Sequence, residues 1–146
     1  MPTARASRTI AAPAEDLWEL IGDPHHLPRW WPRVARVEDV EGDAFTEGFS
    51  TKKGKFVRAD FDLVYKDERE HTLRWAQRVQ GTPFERVLRS AETEVRLTPA
   101  AQATEVTIEL HQTLGGFFAR FGSLMVRRAA AATIDEALDG LARISG

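Results

Sequence analysis

The spacing of apolar positions changes period twice along the chain. Residues Thr3 to Ile10 make a short, turn-bounded segment that reads as a strand. Pro13 then stands where a helix would begin, with Glu15 and Asp16 in a first turn whose dipole they complement. Ala14, Leu17, Trp18 and Ile21 recur at the i, i+3, i+4, i+7 spacing of one helical face. Gly22 suits the stop, and Asp23-Pro24 restarts a second short helix. From Arg33 to Leu114 the punctuation is that of turns, at Glu41-Gly42-Asp43, Lys53-Gly54, Asp67-Glu68-Arg69, Gly81-Thr82-Pro83 and Pro99-Ala100-Ala101. About six strands of an antiparallel meander fit between them. Period two is clearest where Phe61, Leu63 and Tyr65 alternate with Asp60, Asp62 and Lys66, and where Val106, Ile108 and Leu110 alternate with Thr107, Glu109 and His111. One face of the sheet is therefore wet.

After Gly115-Gly116 the pattern turns helical for about 28 residues, ending near Ile144, long enough at 1.5 Å per residue to cross a small domain. Ile134, Leu138 and Leu141 share one stripe of its C-terminal half. Its N-terminal half, with Phe117, Phe118, Phe121, Leu124, Met125 and Val126, is apolar nearly all round, so it needs cover on several sides or borders a cavity. Core packing, a ligand portal and a membrane-touching patch all remain open for it. The segment His25-His26-Leu27-Pro28-Arg29-Trp30-Trp31-Pro32 carries two adjacent indoles that cannot both face one way. One of them enters the interior and the other lies near an opening, as in a lid.

Composition narrows the function classes. The chain has 146 residues, 42% of them apolar, which suits one domain over 1–146 with a single core. A net charge of −2 supplies no general field for nucleic acid or anionic lipid. With no Cys, disulfides, thiolate nucleophiles and sulfur-ligated metals are excluded, and a cytoplasmic location is the default expectation. The longest apolar run, interrupted by Arg120, falls short of the ~20 residues that span a bilayer, so no integral membrane association is expected. The start, Met1 to Pro13, has Arg5 and Arg8 and no acid, faintly like a transit peptide, but it lacks the apolar centre of a secretory signal and is read as the first strand.

The order of strand, two short helices, six strands and a long helix resembles the START-like superfamily, in particular its polyketide cyclase/dehydrase branch. The likeness spans the chain. Its most specific part is Ile10-Ala11-Ala12-Pro13-Ala14-Glu15-Asp16-Leu17-Trp18, followed by Asp23-Pro24 and the Trp30-Trp31 pair. The resemblance implies an α+β helix-grip fold, in which a seven-stranded curved antiparallel sheet wraps a long C-terminal helix and leaves an elongated cavity. It implies no reaction, because members include lipid carriers, metabolite binders, aromatase/cyclases and protein-binding modules with no shared catalytic motif. No catalytic residue is carried over, and no cofactor is expected.

A cavity also follows from physics. One helix about 10 Å wide covers only part of a seven-stranded sheet. A dry void of about 300 Å³ would cost on the order of 7 kcal/mol, so the remaining space is collapsed, wet or liganded. Trp18, Trp30, Trp31, Phe49, Phe61, Leu63, Trp75, Phe118, Phe121 and Met125 are the candidate walls. Tyr65, Gln77 and Arg89, with Gln112, point inward by parity and would meet ligand oxygens; strand bulges would instead leave some of them at the rim or surface.

Other constellations are weaker. His25 and His26 diverge by about 100° on a helix, and His71 and His111 sit on separate strands, so no metal site is expected. His71 shares the parity of Trp75 and could act as an acid or base, although its place at a strand start suits a solvated turn. Gly48 to Phe56 has one residue too many for a phosphate loop, and its Lys52, Lys53 and Lys55, with Arg58, read as a solvated basic hairpin. Gly122-Ser123 lacks the second Gly of a nucleophile elbow. Glu92 and Glu94 fall on the wet face. Three readings result: binding or carriage of a small hydrophobic or amphipathic molecule such as an aromatic polyketide or lipid; an aromatase/cyclase-type enzyme in which Arg89 or Tyr65 polarises a carbonyl and His71 shuttles a proton; and a protein-interaction module. An enclosed space shared by Trp75, Gln77 and Phe121 would favour the first.

Overall fold

The computed structural model describes residues 3–50, 53–116 and 118–145, with the side chain of Phe118 outside the described part. Among the described residues, strands β1 (Thr3–Ile10), β2 (Val34–Glu41), β3 (Ala44–Ser50), β4 (Phe56–Asp67), β5 (Thr72–Gln77), β6 (Leu88–Pro99) and β7 (Thr104–Leu114) form one antiparallel sheet. Its order is β1-β7-β6-β5-β4-β3-β2, a meander closed on its far side by the first strand. Helix α1 (Ala14–Gly22) and the short α2 (Leu27–Trp30), joined by a 3-10 turn at Pro24–His26, connect β1 to β2. The chain ends in α3 (Phe118–Phe121) and α4 (Ser123–Ser145). This is the expected seven-stranded helix-grip architecture, with two short helices between the first two strands.

The local causes are those the sequence carries. Leu17 and Ile21 of α1 are buried, and Asp23 caps the 3-10 turn by accepting from the His25 backbone N–H at 3.0 Å. Thr104, fully buried, donates to the Ala12 carbonyl at 2.7 Å and ties the start of β7 to the segment leaving β1. The long terminal helix departs from expectation at one point. It is broken at Gly122, where α3 ends and α4 begins, because glycine there weakens helix propagation.

Helix α4 lies over one side of the sheet. Its chief packing partners are β1, β7 and α2. Ile134, Ala137, Leu138 and Leu141 are buried to within 1% of full enclosure and meet Val95, Leu97, Val106 and Ile108 of the sheet, which are equally closed. The arginine of β1, Arg8, pairs with Asp139 on the exposed side of the helix. At Gly140 the helix backbone rests on the backbone of Trp30, and a Cβ there would overlap the Trp30 carbonyl. Glycine is needed here for close approach, not for turn geometry. Over β4, β5 and β6 the first turns of α4 stand off the concave face instead of packing on it.

Gly140→Ala is expected to destabilise the domain by about 1 to 3 kcal/mol, measured by urea unfolding, since the added methyl has no room. Helix propensity alone would stabilise the same variant by about 1 kcal/mol, so the sign of the change decides between the two effects.

Candidate functional site

Between this part of the concave face and α4 is a cavity of about 650 Å³, open to solvent along part of its rim. Its floor comes from β4, β5 and β6, through Val57, Phe61, Trp75, Gln77, Ala91 and Thr93, and from Leu110 and Gln112 of β7. Trp31 closes one end, Pro83 and Phe84 of a 3-10 turn (Pro83–Arg86) stand at another, and Val126, Ala129, Ala130 and Thr133 of α4 form the roof. That 3-10 turn is fixed by Thr82, which accepts from the Phe84 N–H at 3.3 Å, with Pro83 in the first helical position. A sealed, dry void of this volume would cost on the order of 15 kcal/mol, more than most domains have in total, so the space is hydrated or occupied.

The aromatic walls form a connected chain. Trp30 meets Trp31 edge to face with ring centres 5.4 Å apart, and Trp31 meets Trp75 in the same way at 5.7 Å. Trp30 is the enclosed member of its pair, 2% exposed, while Trp31 is half-buried and reaches the cavity. Phe61 stacks on Phe45 at 5.5 Å, and Phe49 packs against Phe84 at the rim. Such rings give a rigid apolar lining at low entropic cost.

Two polar groups interrupt this lining with no hydrogen-bond partner among the described residues. Gln77 lies two residues beyond Trp75 on the inner side of β5, and its Nε2 is enclosed with no acceptor. Glu47, at the centre of β3, is 5% exposed and faces the same space. No hydrogen bond or ion pair joins it to a described residue, and burial pushes its carboxyl up from 4.5 to about 8. An acid with that environment is neutral at pH 7 and can donate.

The expected site residues separate into groups. Trp31, Phe61, Trp75 and Gln77 line the main cavity. Leu63 lies with Phe45 and Trp75 on a smaller adjoining space of about 140 Å³ under α1. Trp30 is core, Phe49 is rim, and Trp18 stands outside, edge-on to His71 at 5.5 Å with the Lys66 ammonium above it. Tyr65 does not point inward. A register shift between Leu63 and Tyr65 turns it to the outer face, where the Arg74 guanidinium lies over its ring and Glu70 accepts its hydroxyl at 3.4 Å. Arg89 is likewise outside: the register shift between Leu88 and Ser90 leaves it exposed, lying across Gly115. His71, with a positive φ of 49°, belongs to the β4–β5 turn. The three groups assigned to acid, base and carbonyl polarisation thus never meet. Phe121 and Met125 are 68% and 70% exposed rather than core or wall; Val126 is the residue of that segment that reaches the cavity. Phe117 and the side chain of Phe118 lie outside the described residues, as does Lys52.

Glu47 was not expected, although a signal for it exists. In Phe45-Thr46-Glu47-Gly48-Phe49 the carboxyl has the parity of two phenylalanines, which places it inward on any strand that buries them. Replacing it tests the burial directly. Between pH 4.5 and about 8 the folded state keeps a proton that the unfolded chain has released, so stability falls as pH rises through that window and is level above it. Glu47→Gln should remove that slope and raise stability at pH 7 by on the order of 3 kcal/mol, measured by denaturant unfolding at several pH values.

Comparison with known proteins agrees with this geometry. A family model described as polyketide cyclase / dehydrase and lipid transport matches residues 1–146. Comparison with curated protein sequences finds no match. Among solved structures, the di-domain ARO/CYC BexL from the BE-7585A biosynthetic pathway superposes with a TM-score of 0.80 at 18% identity, covering 98% of this chain and 46% of that one. XoxI from Bacillus cereus gives 0.78 at 16% identity, with 99% and 96% covered. A START superfamily protein from Mycobacterium smegmatis gives 0.78 at 15% identity, with 98% and 96% covered. At these identities the likeness is one of fold.

Proposed function

The chain belongs to the polyketide cyclase / dehydrase and lipid transport family, and from that premise we propose that it reversibly binds a small, mostly apolar molecule in the cavity beneath α4. The observation that carries this reading is the unpartnered amide of Gln77 in an aromatic-lined space of about 650 Å³. An enclosed donor without an acceptor costs roughly 1 to 3 kcal/mol, a cost relieved by water or by a ligand oxygen. The volume lies within the usual range for sites that enclose a drug-sized molecule. A solid, interlocked interior would have favoured a protein-interaction module; the cavity favours a binder. The BexL structure bears the designation ARO/CYC, which fits an aromatic or polyketide-like ligand among the candidates.

Binding is testable without knowing the natural ligand. Nile red, a neutral apolar dye, should gain fluorescence on mixing with the protein and quench its tryptophans, two of which line the cavity. Ala130→Phe, which fills the roof from α4, should weaken dye binding at least tenfold while leaving the circular dichroism spectrum intact. Equal dye binding by both proteins would place the dye elsewhere and count against the cavity. Native mass spectrometry of freshly purified protein should show co-purified material that Ala130→Phe lacks.

A further inference from the structure

We propose that Glu47, as its carboxylic acid, and Gln77 form a pair of hydrogen-bond donors selecting an uncharged ligand that carries two acceptor oxygens, of the ketone or ester class, on a flat apolar frame. The proposal rests on the cavity reading above. Both groups face one space, and neither has a partner among the described residues. The sheet register sets their separation. Glu47 of β3 opposes Ala59 of β4, and Gln77 of β5 opposes Phe61 of β4, so the two stand two strands apart, roughly 10 Å between strand axes, and offset by two residues. Their side chains shorten that gap. A single oxygen suits one donor, and a molecule with oxygens on opposite edges suits both, with Phe61 beneath its frame.

The charge inventory selects the neutral class. On the strands flanking Glu47, Arg36 and Arg58 are exposed, each bonded to Glu38 and lying against the Phe56 ring, and Arg58 also borders the cavity. On β4, Asp60 accepts from Thr46 on the outer face. Lys53 and Lys55 of the β3–β4 turn, Glu85 and Arg86 of the 3-10 turn, and Arg127 and Arg128 of α4 are exposed. Glu92, opposite His111 and Ala76, borders the cavity between Ala91 and Thr93 and adds an acid, not a cation. Among the described residues Arg58 is the cation that borders the cavity, and its guanidinium is already engaged by Glu38, so an anionic ligand finds no unpaired cation beside Glu47 there. A cationic amine would require an ionised Glu47, which burial disfavours at neutral pH. An oxygen acceptor satisfies both Glu47 and Gln77.

The proton makes binding sensitive to pH in a defined direction. Affinity is level while Glu47 keeps its proton, and it falls about tenfold per pH unit once the free protein ionises, from about pH 8 upward. The experiment compares 9,10-anthraquinone, which carries two opposed carbonyls, with anthracene, which has the same three-ring frame without oxygens, by tryptophan quenching from about pH 6 to 10. Wild-type protein should bind the quinone about tenfold more tightly than anthracene at pH 7 and lose this preference above pH 8. Glu47→Gln, which keeps a donor, should retain the preference at all pH values; Glu47→Leu and Gln77→Leu should each reduce it about threefold at pH 7. Anthraquinone-2-sulfonate should bind more weakly than the parent quinone. Equal affinity for quinone and anthracene, or a quinone preference unchanged in Glu47→Leu or across pH in the wild type, overturns the donor pair while leaving the cavity reading intact. Failure of every aromatic probe to bind, with Ala130→Phe indistinguishable from wild type, instead overturns the cavity reading itself.

Discussion

A sheet wider than the helix that covers it is the constraint from which the rest follows. Seven strands present one apolar concave face, and α4 shields the part made by β1 and β7. Where helix and sheet meet, the interior is closed around Val95, Val106, Ile108, Ile134 and Leu141. Beyond that line α4 stands off the strands and roofs an open space. The connecting segments finish the enclosure: Trp31 arrives from α2 and Phe84 from a capped turn before β6. Stability and hollow space are consequences of the same mismatch in width, located in different halves of one sheet.

The polar content of the hollow half is small and placed by strand alternation. Gln77 follows Leu73 and Trp75 at two-residue steps, and Glu47 stands between Phe45 and Phe49 in the same way. A carboxyl buried without a partner lowers stability at neutral pH, and most interiors avoid one. Its position in the cavity wall, away from the helix-packed core, confines that cost to the region where a guest can offset it. The fold is held elsewhere, by contacts that do not involve either group.

How far the sequence speaks depends on whether a residue's environment is set by local spacing or by strand registration. The turn residues, the Pro13 helix start and the alternation in β4 and β7 are local, and they locate the strands and helices to within a residue or two. Trp75 and Gln77 sit on a strand without irregularity after Thr72, so parity places them. Tyr65 and Arg89 follow register shifts, and nothing in their own neighbourhoods announces a bulge, so parity turns them the wrong way. The exposed Phe121 and Met125 have a different cause. An all-apolar helix start was legible, but which side finds cover depends on the break at Gly122 and on how far α4 extends over the sheet. Glu47 was legible and overlooked, because a charged residue between two phenylalanines is easily assigned to solvent.

The contact of Gly140 with the Trp30 backbone bears on how the molecule can move. The C-terminal turns of α4 are clamped there, and again by Ile134 and Leu138 against the sheet, whereas its first turns carry Leu124 and Met125 in solvent. Rigid-body displacement of the whole helix would break the clamp. Pivoting about it would not, and it would swing Val126, Ala129 and Thr133 like a hinged shutter while the opposite end stayed still. On the binding reading proposed above, entry to the hollow would depend on these three helical turns, apart from the strands that line its floor.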